Sequence, residues 1–173
     1  MRSLLCFALA ALGAVAFCRA DATNLVANGA FERSELKAGV PDDWVAAGNR
    51  AVKQELRLDT GRDGQRCARL ECTEFTGDGP DFHAMICQVG QVSVRQGQWY
   101  RLAFWARAES LKAGAVEVAL TNMRPWENAG LAEAFTPGPQ WEPFEFLFRA
   151  RSELLAASSR LQFWFRGTGT LWL

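Results

Sequence analysis

Histidine and tyrosine are nearly missing from this 173-residue chain, with one of each, and no run of like charge occurs anywhere in it. With His83 as the single histidine, a His-rich zinc site is excluded, and a Ser-His-Asp arrangement would rest on that one residue with no Gly-x-Ser-x-Gly elbow to accompany it. Beside Asp81 and at the head of an alternating stretch, His83 reads as an exposed or packed side chain. The 19 basic and 19 acidic residues cancel, which leaves no electrostatic footprint for nucleic acid or for an anionic membrane. Phosphate-cradling glycine loops, a dinucleotide fingerprint and paired metal-binding cysteines are all lacking, so no cofactor is expected.

Long apolar runs are also lacking, except at the start. Arg2 precedes the uncharged stretch Leu4 to Cys18, and small residues follow in Cys18-Arg19-Ala20-Asp21-Ala22. This is the positive, apolar and small-residue order of a secretory signal, with cleavage near Ala20 or Ala22. Fifteen residues of helix reach about 22 Å, short of the ~30 Å hydrocarbon core, which disfavours a membrane anchor. Cys18 invites a lipid-anchored reading, but Phe17 stands where such signals carry a small residue. The expected organisation is a signal over residues 1–22 and one domain over 23–173, exported, with no membrane contact after signal removal.

That domain keeps Cys67, Cys72 and Cys87, an odd number that allows at most one internal pair. Cys72 with Cys87 is the pair expected, and three small buried thiols are the equal alternative.

What the chain does contain is a series of short alternating runs between Gly, Pro, Asp and Asn clusters. The pattern predicts an all-β, two-sheet antiparallel sandwich. Candidate strands are Asn24 to Val26 with Ala30 to Glu32, Val52 to Leu58, Ala68 to Cys72, His83 to Val89, Trp99 to Ala108, Ala115 to Thr121, Trp141 to Ala150, Arg160 to Arg166 and Thr170 to Leu173. Glu127 to Ala134 and Ser152 to Ser158 are the two places for a helical turn. Within the later strands Tyr100, Leu102, Phe104 and Ala106, then Phe144, Phe146 and Phe148, then Leu161, Phe163 and Phe165 form all-apolar faces. At ~25 cal/mol per Å² of apolar area, burying four or five phenylalanines stabilises by roughly 20 kcal/mol before entropy, which assigns these faces to the interior. The opposite faces mix Trp, Arg, Gln and Glu. Aromatic rings pack on the C–H faces of sugars while planar polar groups bond the hydroxyls, so a glycan groove needs this mixture; packing at a sheet edge uses tryptophan as well.

Several stretches carry a family resemblance. Asn24-Leu25-Val26-Ala27-Asn28-Gly29-Ala30-Phe31-Glu32, Pro41-Asp42-Asp43-Trp44, Gly97 to Ala108 and Gly169-Thr170-Leu171-Trp172-Leu173 resemble the CenC-type carbohydrate-binding modules (families 4, 9 and 22) among the galactose-binding-like jelly rolls. The resemblance implies a non-catalytic module that holds a polysaccharide or oligosaccharide of β-glucan or xylan type, with a glycoside hydrolase as a possible downstream catalytic domain. It implies a groove on the outer face of one sheet, lined by Gln88, Arg107, Gln162 and Trp105 or Trp164. Relatives hold a structural calcium through acidic residues where Ala30 stands here and in a closing Asp-Asp-Val. Glu32 is the one carboxylate left for such an ion, against the six to eight oxygens that Ca²⁺ takes. The stop at Leu173 implies a missing last strand or downstream domain.

Two alternatives stand beside this reading. A structural or protein-interaction jelly roll would use its tryptophans for packing, with no sugar ligand. A small or fragmentary glycoside hydrolase would need two carboxylates about 5 to 9 Å apart, for which Glu117 and Glu145 are the candidates. Asp59-Thr60-Gly61 matches the loop of aspartic proteases in a single copy, followed by Arg62, and Asp59-x-Gly61-x-Asp63-Gly64 imitates a calcium loop with Leu70 at its twelfth position. A β-turn accounts for both.

Overall fold

A computed structural model describes residues 23–49 and 51–173; the expected signal, 1–22, lies outside the described residues. Ten strands follow one another: β1 (Val45–Ala46), β2 (Val52–Thr60), β3 (Arg66–Phe75), β4 (Ala84–Val89), β5 (Trp99–Glu109), β6 (Val116–Asn122), β7 (Glu127–Phe135), β8 (Glu142–Arg149), β9 (Ser159–Phe165) and β10 (Gly169–Trp172). They build a front sheet in the order β1-β4-β9-β6-β7 and a back sheet in the order β2-β3-β10-β5-β8, antiparallel throughout. The all-β sandwich expected from alternation is the architecture found.

The faces follow the sequence pattern. Phe163 of the front sheet meets Phe104 of the back sheet edge-on at 5.1 Å between ring centroids, and Phe104 meets Phe135 of β7 at the same distance. Phe144 adds a contact to Phe135 at 4.7 Å. Edge-to-face pairs of this kind stabilise beyond their area by about 0.5–1.5 kcal/mol each. Around them pack Leu70, Ile86, Val118, Leu120, Leu161 and Leu171, all buried. Where β7 passes under the β8 end, Gly130 has φ +133°, and a Cβ there would lie 2.4 Å from the Arg149 carbonyl oxygen, so only glycine permits the approach.

Three expectations are corrected. Asn24 to Val26 and Ala30 to Glu32 are not strands. Asn28 and Phe31 take positive φ (46° and 56°), and the segment is held by side chains instead. Asn28 Nδ2 donates to the Arg33 and Asp42 carbonyls, its Oδ1 accepts from Arg33 N, and Trp44 Nε1 donates to its carbonyl at 3.2 Å. Glu127 to Ala134 is strand β7, because pairing with β6 overrides the helix propensity of its alanines and glutamates. A 3₁₀ turn does occur at Ala156–Ser158, within the second stretch expected to be helical, and another at Arg62–Gly64.

The third correction concerns the Cys72–Cys87 pair; the equal alternative, three small buried thiols, is the arrangement found. Cys67, Cys72 and Cys87 are all buried and free. Cys72 points into the core from β3, whereas Cys87, opposite exposed Val45 in the register, points out of the front sheet. With Cys72 between the sheets and Cys87 on the far side of the front sheet, the two thiols are free and do not bridge.

Candidate functional site

Alternation along a strand decides which side chains leave the core, and register decides which of them become neighbours. On the outer side of the front sheet, one row across the strands reads Met85–Trp164–Glu117–Ala134 and the next Cys87–Gln162–Ala119–Ala132. Although these residues point away from the core, Met85, Cys87, Ala119 and Gln162 are buried. The face is therefore sunken. Half-buried Trp164 and Arg160, and Trp126 at 62% exposure, rise around it.

Gln162 forms the floor with 8% exposure, and its Oε1 has no hydrogen-bond partner; Arg160 Nε, two residues earlier on the same face, has none either. The Arg160 guanidinium carbon lies 4.9 Å from the Trp126 ring centroid. Trp126 itself takes φ +57°, a strained conformation for a bulky side chain, at the tip between β6 and β7. At the upper end of the face, burial pushes the His83 pKa down, and the Arg160 and Arg166 charges add to this against the Pro80 backbone and Asp81. The imidazole is thus held neutral near pH 7.

The outer side of the back sheet is organised differently. Arg57, Arg69, Trp172 and Arg107 form one row, and their charges are internally matched. Arg107 stacks on Trp172 at 3.8 Å and pairs with Glu109 at 2.5 Å, while Arg69 pairs with Glu71 at 2.7 Å. Arg62 lies 3.9 Å over Trp105. Trp172 Nε1 donates to Asp59 Oδ2 at 2.9 Å, and this bond, with the Thr60 N–H, holds the Asp59 carboxyl below its ordinary pKa. The Asp-Thr-Gly loop is a hydrogen-bond anchor for the last strand.

The five expected ligand residues consequently fall in three places. Gln162 and Trp164 lie together on the front face. Trp105 and Arg107 lie on the back face, on the far side of the sandwich. Gln88 is 1% exposed and turned inward, its amide occupied by the Ala27 backbone. Glu117 leaves the front sheet and Glu145 the back sheet, so the carboxylates considered for hydrolysis share no groove. Glu32 is exposed and its carbonyl accepts from Arg66; among the described residues no three acidic, histidine or cysteine side chains gather as a metal site. One carboxylate does not meet the oxygen count of calcium. Arg160 and Trp126 escaped the sequence reading. Arg160 shares the parity of Gln162 and Trp164, a signal that was present, whereas Trp126 sits in a turn where no periodicity marks it.

A sunken sheet face with unpartnered planar polar groups between tryptophans has the chemistry to meet polyhydroxylated compounds. The model of the carbohydrate binding domain family CBM_4_9 matches residues 23–168. The chain belongs to this family. Among solved structures, one described as "CBM4 structure and function" is 20% identical with a TM-score of 0.57, over 76% of this chain and 90% of that one. The N-terminal cellulose-binding domain of Cellulomonas fimi β-1,4-glucanase C is 17% identical with a TM-score of 0.53, over 78% and 86%. A putative sugar binding protein of Bacteroides thetaiotaomicron is 12% identical with a TM-score of 0.56, over 87% and 96%. At these identities the likeness is one of fold, the jelly-roll sandwich. No curated protein matches the chain in sequence. No helix among the described residues is long and apolar enough to cross a membrane.

Proposed function

We propose that this carbohydrate-binding domain is a non-catalytic module of an exported protein, and that its front face holds a linear polysaccharide of β-glucan or xylan type, keeping a linked glycoside hydrolase on its substrate. The observation that carries the reading is the pair of buried, unpartnered polar atoms, Gln162 Oε1 and Arg160 Nε, on an outward face flanked by Trp164 and Trp126. A buried polar atom left unpaired costs about 1–3 kcal/mol. Sugar hydroxyls donate and accept at once, so a glycan on this face can bond the Gln162 amide and the Arg160 guanidinium once side-chain rotation uncovers these atoms, while the indole rings cover its C–H faces. The back face offers no such vacancy, since its arginines are matched by carboxylates and rings.

Calorimetry of the 23–173 domain against soluble β-glucans, xylans and mannans tests this. Binding to at least one of them, lost on Gln162→Ala, is expected. Absence of binding across the panel, or full binding by the Gln162→Ala variant, would overturn it.

A further inference from the structure

The two sheets treat their outward arginines differently. On the back sheet Arg57, Arg69, Arg101 and Arg107 are each paired with a carboxylate, from Glu55, Glu71, Glu145 and Glu109 in turn. On the front sheet Arg160, Gln162 and Trp164 of β9 and Arg166 just after it share the outward parity. Among the described residues neither of these two arginines forms an ion pair. Arg166 Nη2 donates to the backbone carbonyls of Asp78 and Gly79 at 2.8 and 2.7 Å, acceptors that carry no full opposing charge. Arg160 Nε lacks even that, being buried without an acceptor.

The half-buried Arg160 side chain lies over the floor of the face. Its guanidinium carbon is 4.9 Å from the Trp126 ring centroid. Burial raises the Cys87 pKa and the Arg160 charge draws it back, and Cys87 is the register neighbour of Gln162. Burial lowers the His83 pKa, and the charges of Arg160 and Arg166 lower it further against the Pro80 backbone and Asp81. Positive charge is therefore felt from the middle of the face to its upper end. On the strands of this face Glu117, opposite Trp164, is the one carboxylate, and it pairs with neither arginine. Beside the open Oε1 of Gln162, Arg160 thus combines an unmet hydrogen bond with an unmet charge.

We propose that the front face selects acidic glycans: a uronate unit places its carboxylate on Arg160, while Gln162 and Trp164 hold the neutral units beside it. This rests on the front-face reading above and narrows its ligand class. A sugar hydroxyl offers the guanidinium one acceptor and no charge. A carboxylate offers two coplanar oxygens that match the two-donor edge of the fork, and hydrogen bonds between ionised partners are roughly twice as strong as neutral ones. Nε and the adjacent Nη form such an edge, which rotation about the terminal side-chain torsions turns towards the ligand. With Trp126 against it the pair is partly shielded from water, so the attraction exceeds that of a fully exposed pair. Neutral chains still bind through Gln162 and the rings, and acidity shows as a preference between chains.

The test is calorimetry of the chain with glucuronoxylan, with the same polymer after its carboxyls are reduced to alcohols, and with xylan sulfate. Glucuronoxylan is expected to bind about tenfold more tightly than the reduced polymer, and the difference should shrink as sodium chloride is raised to about 0.5 M. Arg160→Gln is expected to erase the difference, and Arg160→Lys, which keeps the charge without the fork, to leave part of it. Arg107→Gln, on the back sheet, should leave all of it. The salt series needs no variant, so it stands even if Arg160→Gln fails to fold. Three results would overturn the proposal: equal affinity for glucuronoxylan and its reduced form, a preference that survives Arg160→Gln in a variant with the parent's circular dichroism, or tighter binding of xylan sulfate than of glucuronoxylan, the mark of attraction to any polyanion. Equal binding of the acidic and reduced polymers leaves the front-face reading standing, whereas no binding to any glycan overturns both.

Discussion

Gln88 grips Ala27 at both ends of its amide, with Oε1 accepting from Ala27 N at 3.0 Å and Nε2 donating to the Ala27 carbonyl at 2.6 Å. A side chain here imitates a strand, because one planar amide offers the same donor and acceptor pair as a backbone unit. Through it the irregular N-terminal segment is fastened to β4. Replacing Gln88→Leu removes both bonds and strands two backbone groups in a part-buried place, at about 1–3 kcal/mol per unsatisfied group. Urea unfolding is expected to show a loss of about 2–4 kcal/mol with glycan affinity retained. Lost affinity at unchanged stability would instead make Gln88 a ligand contact.

Trp164 and Trp105 leave the sandwich by opposite faces, and the two should separate cleanly in binding. Trp164→Ala removes a ring from the rim of the front face, and a drop in glycan affinity of at least about tenfold, or 1.4 kcal/mol, is expected. Trp105→Ala removes the ring beneath Arg62, which touches no part of that face. Its affinity should match the parent. Isothermal titration of both variants decides the matter, and a loss confined to Trp105→Ala would move the site to the back sheet.

Alternation made the interior legible wherever a strand is apolar on one face and polar on the other. Phe144, Phe146 and Phe148 in β8 and Leu161, Phe163 and Phe165 in β9 show their direction in the letters alone, since a period of two has one apolar solution. The same rule sorts Trp105 and Trp164 as outward but cannot say that they leave different sheets. That fact depends on strand order, which is set by long-range pairing of β10 with β5 and of β9 with β4 and β6. The N-terminal segment misled for a local reason. Its Asn28 and Phe31 adopt positive φ, and its backbone bonds go to the Gln88, Asn28 and Asp42 side chains, a solution that mimics a strand in composition without forming one.

His83 gives the fold a pH dependence whose sign is fixed by the direction of its shift. Burial, then the nearby Arg160 and Arg166, lower its pKa from the ordinary 6.5. The folded chain therefore holds this proton less tightly than the unfolded chain does. Its contribution to stability is complete above about pH 6.5 and is lost as pH falls through the lower, folded value. Urea midpoints measured from pH 8 to pH 5 are expected to fall in the acidic half of that range, and His83→Gln should flatten this part of the curve. An unchanged slope in the variant would assign the dependence to other groups.

The three thiols are expected to be inert for a shared reason, desolvation. Burial raises the pKa of Cys72 and Cys87, and it pushes Cys67 up to about 11, with the Asp59 carboxylate adding to the effect. The thiolate is the reactive form, so at pH 8 almost none exists at Cys67. Iodoacetamide should label the native domain slowly at all three positions and rapidly once urea unfolds it, with the labelled sites counted by mass spectrometry. Because the folded thiol ionises later than the unfolded one, its share of stability is intact below about pH 9 and fades as pH rises towards 11. Reduction provides the second measurement. With Cys72 in the core and Cys87 on the outer side of the other sheet, no bridge exists to break, and dithiothreitol should leave the Tm unchanged. A fall in Tm on reduction would mean that a bond joins two of these cysteines and that the placement of β3 against β4 is wrong.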